Sequence, residues 1–67
     1  MPRDLKNLLK KIGVDKLYDV HETAKFAQCS EETIRRDLRD KTLVGIKSRG
    51  KWLIDGQKIK RYISKYP

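Results

Sequence analysis

The chain lacks most of what an enzyme, a membrane protein or a secreted scaffold requires. It has one cysteine, Cys29, in 67 residues, so no internal disulfide can form, whereas small secreted domains usually carry several. It has one histidine, His21, with no second histidine or cysteine pair to complete a metal site. Its two prolines, Pro2 and Pro67, stand at the ends, where they break no element. No apolar run approaches the roughly 20 residues of a membrane-spanning helix, and no apolar leader opens the chain. A cytoplasmic protein without a membrane partner is therefore expected. A chain this short buries only about 60% of its unfolded surface, which limits it to one small domain and excludes large catalytic folds.

Acidic residues are also scarce. There are 9 Asp plus Glu against 17 Lys plus Arg, a formal charge of +8 and a pI near 9.9. Such an excess calls for a polyanionic partner, and nucleic acid is the commonest for a small basic domain. The excess is uneven. It is +3 over residues 1–18, −1 over 19–30, zero over 31–41, and +3 over both 42–54 and 55–67.

What is present is helical and β periodicity in sequence. Leu5, Leu8, Leu9 and Ile12 share one helical face, with Lys6, Lys10 and Lys11 opposite, and Gly13 can end that helix. Residues 1–16 are thus expected to form an N-terminal amphipathic helix, for packing, for dimer contact or as a rail for phosphates. Val20, Ala24 and Ala27 line a second short helix ending near Gln28. Ser30 is a good N-cap for a third, with Glu31 and Glu32 in its first turn and Ile34 and Leu38 as its apolar stripe. From Leu43 to Ile54 the pattern changes. Val44, Ile46, Trp52 and Ile54 alternate around Ser48-Arg49-Gly50-Lys51, which indicates a hairpin whose loop is two residues or longer. Asp55 can cap a last helix striped by Ile59, Tyr62, Ile63 and Tyr66.

Two short helices joined by a tight turn and followed by a basic hairpin describe a winged helix-turn-helix: helix-turn-helix over 18–41, wing over 43–54, C-terminal helix over 55–66. The expected fold is mainly α with a small β-hairpin. On the second helix of the pair, Glu32, Thr33, Arg35, Arg36 and Arg39 point away from Ile34 and Leu38. Arginine can grip guanine O6 and N7, Thr33 a phosphate or base edge, and Glu32 the cytosine N4 amine. These five are the candidate major-groove residues. The plain alternative is a solvated face, since Glu31, Glu32, Arg35, Arg36, Asp37, Arg39 and Asp40 could pair among themselves. The hairpin favours DNA. Lys47, Arg49 and Lys51 crowd its tip without an acid nearby, suited to a minor groove and its phosphates, with Ser30 as a further phosphate contact. Charges that merely protect a strand edge are the alternative there.

The run Tyr18-Asp19-Val20-His21-Glu22-Thr23-Ala24, then Ser30-Glu31-Glu32-Thr33-Ile34-Arg35-Arg36, Leu43-Val44-Gly45-Ile46-Lys47 and Gly50-Lys51-Trp52-Leu53-Ile54, resembles the excisionase family of MerR-like winged helix-turn-helix proteins over about residues 17–64. The resemblance implies a recombination directionality factor of a phage or integrative mobile element, or a small transcription regulator, with an integrase or recombinase as protein partner. Ser30 to Leu38 is also similar to the recognition helix of DeoR-type repressors, which carries over a DNA-reading role for Thr33, Arg35 and Arg36. The excisionase-type turn usually has glycine where this chain has Gln28 and a large aliphatic where it has Ala27. Either Gln28 takes the left-handed conformation at a cost of about 1 kcal/mol, or the turn differs. Phe26 can fill the space left by Ala27.

Three other classes compete. His21, Glu22, Asp19 and Cys29 do not assemble a catalytic or metal site, and Cys29 reads as a small buried hydrophobe, so no enzyme, metal or cofactor is expected. A protein-binding adaptor could use Leu5, Leu8, Leu9 and Ile12 or the Tyr62/Tyr66 face. RNA binding would need an exposed aromatic platform, and Tyr18, Phe26, Trp52, Tyr62 and Tyr66 sit at core positions. The expectation is a double-stranded DNA binder with weak single-site affinity, strengthened by self-association or by cooperative binding on repeated sites.

Overall fold

The structure, a computed structural model, describes residues 10–65. The helix-face positions Leu5, Leu8 and Leu9 and the stripe position Tyr66 lie outside the described residues. Among those described, the order is β1 (Leu17–Tyr18), α1 (Val20–Ala27), α2 (Glu31–Arg39), β2 (Ile46–Ser48), β3 (Lys51–Asp55) and α3 (Gly56–Lys65). These three helices pack on a three-stranded antiparallel sheet of order β1-β3-β2. This mixed α/β arrangement is consistent with a helix-turn-helix and a wing. Of the helix expected over residues 1–16, Lys10 and Lys11 are helical, whereas residues 12–16 form a bend and a turn leading into β1. Among the described residues no helix is long and apolar enough to cross a membrane.

Each helix begins where a side-chain acceptor meets its free N–H groups. The Asp19 carboxylate accepts from Glu22 N at 2.8 Å, Ser30 Oγ from Thr33 N at 3.1 Å, and Asp55 Oδ1 from Gln57 N at 2.8 Å. Thr23, fully buried on α1, donates its hydroxyl to Asp19 O at 2.7 Å and so carries no unpaired polar group into the core.

The turn between α1 and α2 takes the left-handed route. Gln28 has φ 57° and ψ 45°, its N–H reaches Lys25 O at 3.2 Å, and Cys29 N reaches Ala24 O at 3.1 Å. These are the paired bonds of a Schellman motif, made here without glycine. Cys29 is half-buried and packs on the core with Ala27 and Phe26, as a small hydrophobe at that position should. Phe26 meets the ring of Tyr18 edge-on at 5.2 Å, and the Tyr18 hydroxyl accepts from Gly13 N at 2.8 Å.

The core is one cluster of Ile12, Ala24, Ile34, Leu38, Leu43, Ile54, Ile59, Tyr62 and Ile63. Every helix and β3 contribute. A Cβ on Gly56, at the first position of α3, would stand 1.8 Å from the Gly13 carbonyl oxygen, so glycine alone lets the start of α3 lie against the segment before β1.

Two expectations are corrected. First, β1 was not foreseen. It is two residues long and exists because Leu17 and Tyr18 pair with Asp55 and Ile54, making the hairpin the larger part of a sheet. Second, the hairpin loop is the two-residue Arg49-Gly50, with both φ positive at 52° and 80°, as in a type I′ turn. That fixes the register as Ile46 with Leu53, Lys47 with Trp52 and Ser48 with Lys51. Facing residues therefore have opposite parity in number. Val44 and Ile46 cannot share a face with Trp52 and Ile54, as their alternation suggested. Trp52 and Ile54 turn inward, and Val44 and Ile46 are 54% and 58% exposed.

Candidate nucleic-acid interface

α2 buries Ile34, Asp37 and Leu38 and turns Glu32, Arg35, Arg36 and Arg39 to solvent. Of the five residues the helical period placed there, these four are exposed, and the fifth, Thr33, is half-buried at the start of the helix. Each arginine already has a carboxylate. Arg35 Nη1 lies 3.6 Å from Glu31 Oε1 and its Nε 3.8 Å from Glu32 Oε2; Arg39 Nη2 lies 3.6 Å from Glu32 Oε1; and Arg36 Nε lies 3.6 Å from Asp37 Oδ1. Glu32 thus bridges Arg35 and Arg39 at the centre of the face. All are longer than charge-assisted hydrogen bonds, and those to Glu31 and Glu32 are exposed on both sides, so each of these is weak and readily exchanged for another anion; the carboxylate beside Arg36 is the buried one of Asp37.

Ser30 and Thr33 occupy the start of α2. The Ser30 hydroxyl caps Thr33 N and also lies 2.9 Å from Thr33 Oγ1. One of the two hydroxyl protons is used between them, which leaves one for an outside acceptor.

Asp37 was expected among the exposed acids of this helix. It is buried instead, because at 300° from Ile34 it borders the apolar stripe rather than the outer face. Its carboxylate accepts a short hydrogen bond from the Tyr62 hydroxyl of α3. Its backbone carbonyl accepts from Leu43 N at 3.1 Å. Asp37 therefore anchors α2 to α3 and to the segment leading into the wing, and it is the residue of the site that sequence reasoning missed. The available signal was Tyr62 itself: a tyrosine on a core stripe needs a partner for its hydroxyl.

A second link joins α1 to α2. Because an ionised carboxylate can only accept, His21 Nδ1 carries the proton in its 2.9 Å hydrogen bond to Glu31 Oε2. That bond is the main reason the Glu31 carboxyl titrates below its usual range; desolvation opposes it, and the charges of His21 and Arg35 and a hydrogen bond from Arg35 add to it.

The wing holds its cations differently. Among the described residues, Lys47, Arg49 and Lys51 are all exposed and form no ion pair. Lys47 Nζ sits 5.6 Å from the centre of the Trp52 ring, its cross-strand neighbour, a cation–π contact that turns it toward the inner face of the hairpin. There the wing and the helix pair border one groove of about 270 Å³, with Gly50, Lys51 and Trp52 on one bank and His21, Glu31 and Arg35 on the other. The fold thus brings one residue of each candidate group, Arg35 and Lys51, to one groove, whereas Thr33 and Arg36 line a separate cleft with Gln28, Cys29, Asp37 and Tyr62. Arg36 and Arg39 lie further along α2, and Arg49 stands at the hairpin tip, outside that groove.

Among the described residues, no group of three or more His, Cys, Asp or Glu is placed to hold a metal ion. Comparison with family models, with curated proteins and with solved structures finds no match for this chain.

Proposed function

We propose that the chain is a sequence-specific double-stranded DNA-binding protein with a MerR/excisionase-like winged helix-turn-helix fold. In this reading it acts as a recombination directionality factor of a mobile element, or as a small transcription regulator of such an element. The observation that carries the reading is the shared groove: Arg35 of the arginine-bearing helix and Lys51 of the basic hairpin, about 15 residues apart in sequence, line it together.

In this proposal α2 enters the major groove. An α-helix with its side chains is about 10–12 Å across, which matches the roughly 12 Å groove width. Arg35, Arg36 and Arg39 exchange Glu31, Glu32 and Asp37 for guanine edges and phosphates. Glu32, released from two arginines, accepts from a cytosine amine. Arg49 at the tip reaches the neighbouring minor groove, and Lys47 and Lys51 meet the phosphates beside it. The free proton of the Ser30/Thr33 pair donates to a phosphate at the helix start.

Titration of duplex DNA at rising salt tests the reading. Affinity should fall steeply and linearly in a log–log plot, with a slope of about −0.9 for each phosphate contacted. A salt-independent response, or no binding at low salt, overturns it.

A further inference from the structure

We propose that the outer face of the sheet is a docking surface for a second copy of this chain. The two-residue turn that sends Trp52 and Ile54 into the core sends Ile46 and Leu53 outward as a cross-strand pair. Leu17 of β1 stands diagonal to Leu53 on the same face, 54% exposed, and Val44 continues the patch before β2. Together with Asp55 and Lys58 they line a shallow groove of about 210 Å³ on the opposite side of the sheet from the core. Three strands thus present a contiguous apolar row to solvent, which scattered surface hydrophobes do not do.

Charge selects the occupant. The molecule carries +8, yet this groove is lined by one acid and one base and is itself neutral, with Lys51 on the same face beyond it toward the hairpin tip. A strongly acidic partner finds no complementary field here; it would be drawn to the wing or to α3. A second copy does fit. A twofold axis through the groove sets Leu53 and Ile46 of one copy against the same residues of the other, and brings each Asp55 toward the opposite Lys58. The open edge of β2 borders the same face, while Lys47 and Arg49 at its far end discourage unlimited strand addition.

Area sets the strength. Four partly exposed aliphatic side chains offer well under the ~800 Å² that each partner of a stable interface buries. Association is therefore weak in free solution, at millimolar concentration, and becomes effective when two copies are held side by side on one scaffold, where effective concentration does the rest. It needs nothing from the DNA reading except a use.

The test is a concentration series of amide and methyl NMR spectra on the full chain, at low and at high salt. The expected result is concentration-dependent shifts centred on Leu17, Val44, Ile46 and Leu53. They should grow with added salt, because screening removes the repulsion between two basic molecules while leaving the apolar contact intact. Ile46→Thr, which keeps a β-branched residue on an exposed strand, should abolish these shifts without altering the core signals, and Lys58→Glu should weaken them at least severalfold. Shifts that are independent of concentration, or that centre elsewhere, overturn the proposal. So do Overhauser contacts from Leu5, Leu8 or Leu9 to this face in the dilute monomer, which would make the chain's own first residues its cover. DNA binding weakens with salt and this contact strengthens, so failure of one reading is distinguishable from failure of the other.

Discussion

The α2 helix and the wing each display three cations, and they hold them in opposite ways. Arg35, Arg36 and Arg39 are each matched by a carboxylate, and their helix is tied to α3 through Asp37 and Tyr62 and to α1 through Glu31 and His21. Lys47, Arg49 and Lys51 have no acidic partner among the described residues and ride on a hairpin of three and five residues. A paired cation must exchange one anion for another, so it gains only where the new partner is better placed. An unpaired one gains from any phosphate. In the proposed function, the first arrangement discriminates and the second retains.

The contrast can be broken most forcefully at its anchor. Asp37→Ala removes the buried hydrogen bond between the Tyr62 hydroxyl and the Asp37 carboxylate and should cost about 2 kcal/mol in chemical denaturation, against less than about 0.5 kcal/mol for the exposed Arg49→Ala. Equal costs would mean that α2 is no better anchored than the wing.

On DNA, Arg36→Ala should reduce discrimination between preferred and random duplex by about 1–3 kcal/mol. Arg49→Ala should weaken both alike and lower the salt slope by about 1. If the two variants behaved identically, the division of labour would be wrong.

Gln28→Gly should raise stability by about 1 kcal/mol, measured by thermal or denaturant unfolding, because the left-handed backbone at that turn would no longer strain a side chain. A glutamine that was comfortable there would show no gain.

Glu32→Gln removes the carboxylate shared by Arg35 and Arg39. Affinity for random duplex should rise roughly threefold while preference falls. A loss of affinity confined to the preferred duplex, with random duplex unchanged, would assign Glu32 to base contact alone.

The smallest effect concerns acid. Glu31 is held below its usual range first by the hydrogen bond from His21, so its contribution to folding is present above the ordinary glutamate range and fades as pH falls through its depressed value. In His21→Ala the Glu31 carboxyl should titrate at higher pH, nearer an ordinary glutamate, as followed by carboxyl carbon NMR; an unchanged midpoint would show that His21 is not the cause.

Much of this architecture was legible locally. Ser30 and Asp55 mark helix starts because capping is a matter of a few neighbouring residues, and the faces of α2 and α3 follow from the helical period with no knowledge of what they pack against. Gln28 was flagged as left-handed or else a different turn, and it is left-handed. What was not legible depends on partners distant in sequence. β1 is a strand only because β3 lies beside it. The register of the hairpin turns on whether Arg49 accepts a positive φ, and that one choice moves Val44 and Ile46 from the core side to solvent. Asp37 reads as one more surface acid until Tyr62, 25 residues away, is placed against it.

One junction sets how this molecule can vary. β3 ends at Asp55 and α3 begins at Gly56 with no residue between them, and Gly56 abuts Gly13 too closely to tolerate a side chain. One residue inserted there would turn the following helix by about 100° and swing Tyr62 away from Asp37. At the hairpin tip, by contrast, a Cβ added at Gly50 would meet nothing within 4 Å. The hairpin is therefore open to its surroundings at one end and fixed in length at the other: the tip has free space around it, while the strand behind it is geared to the helix that holds α2.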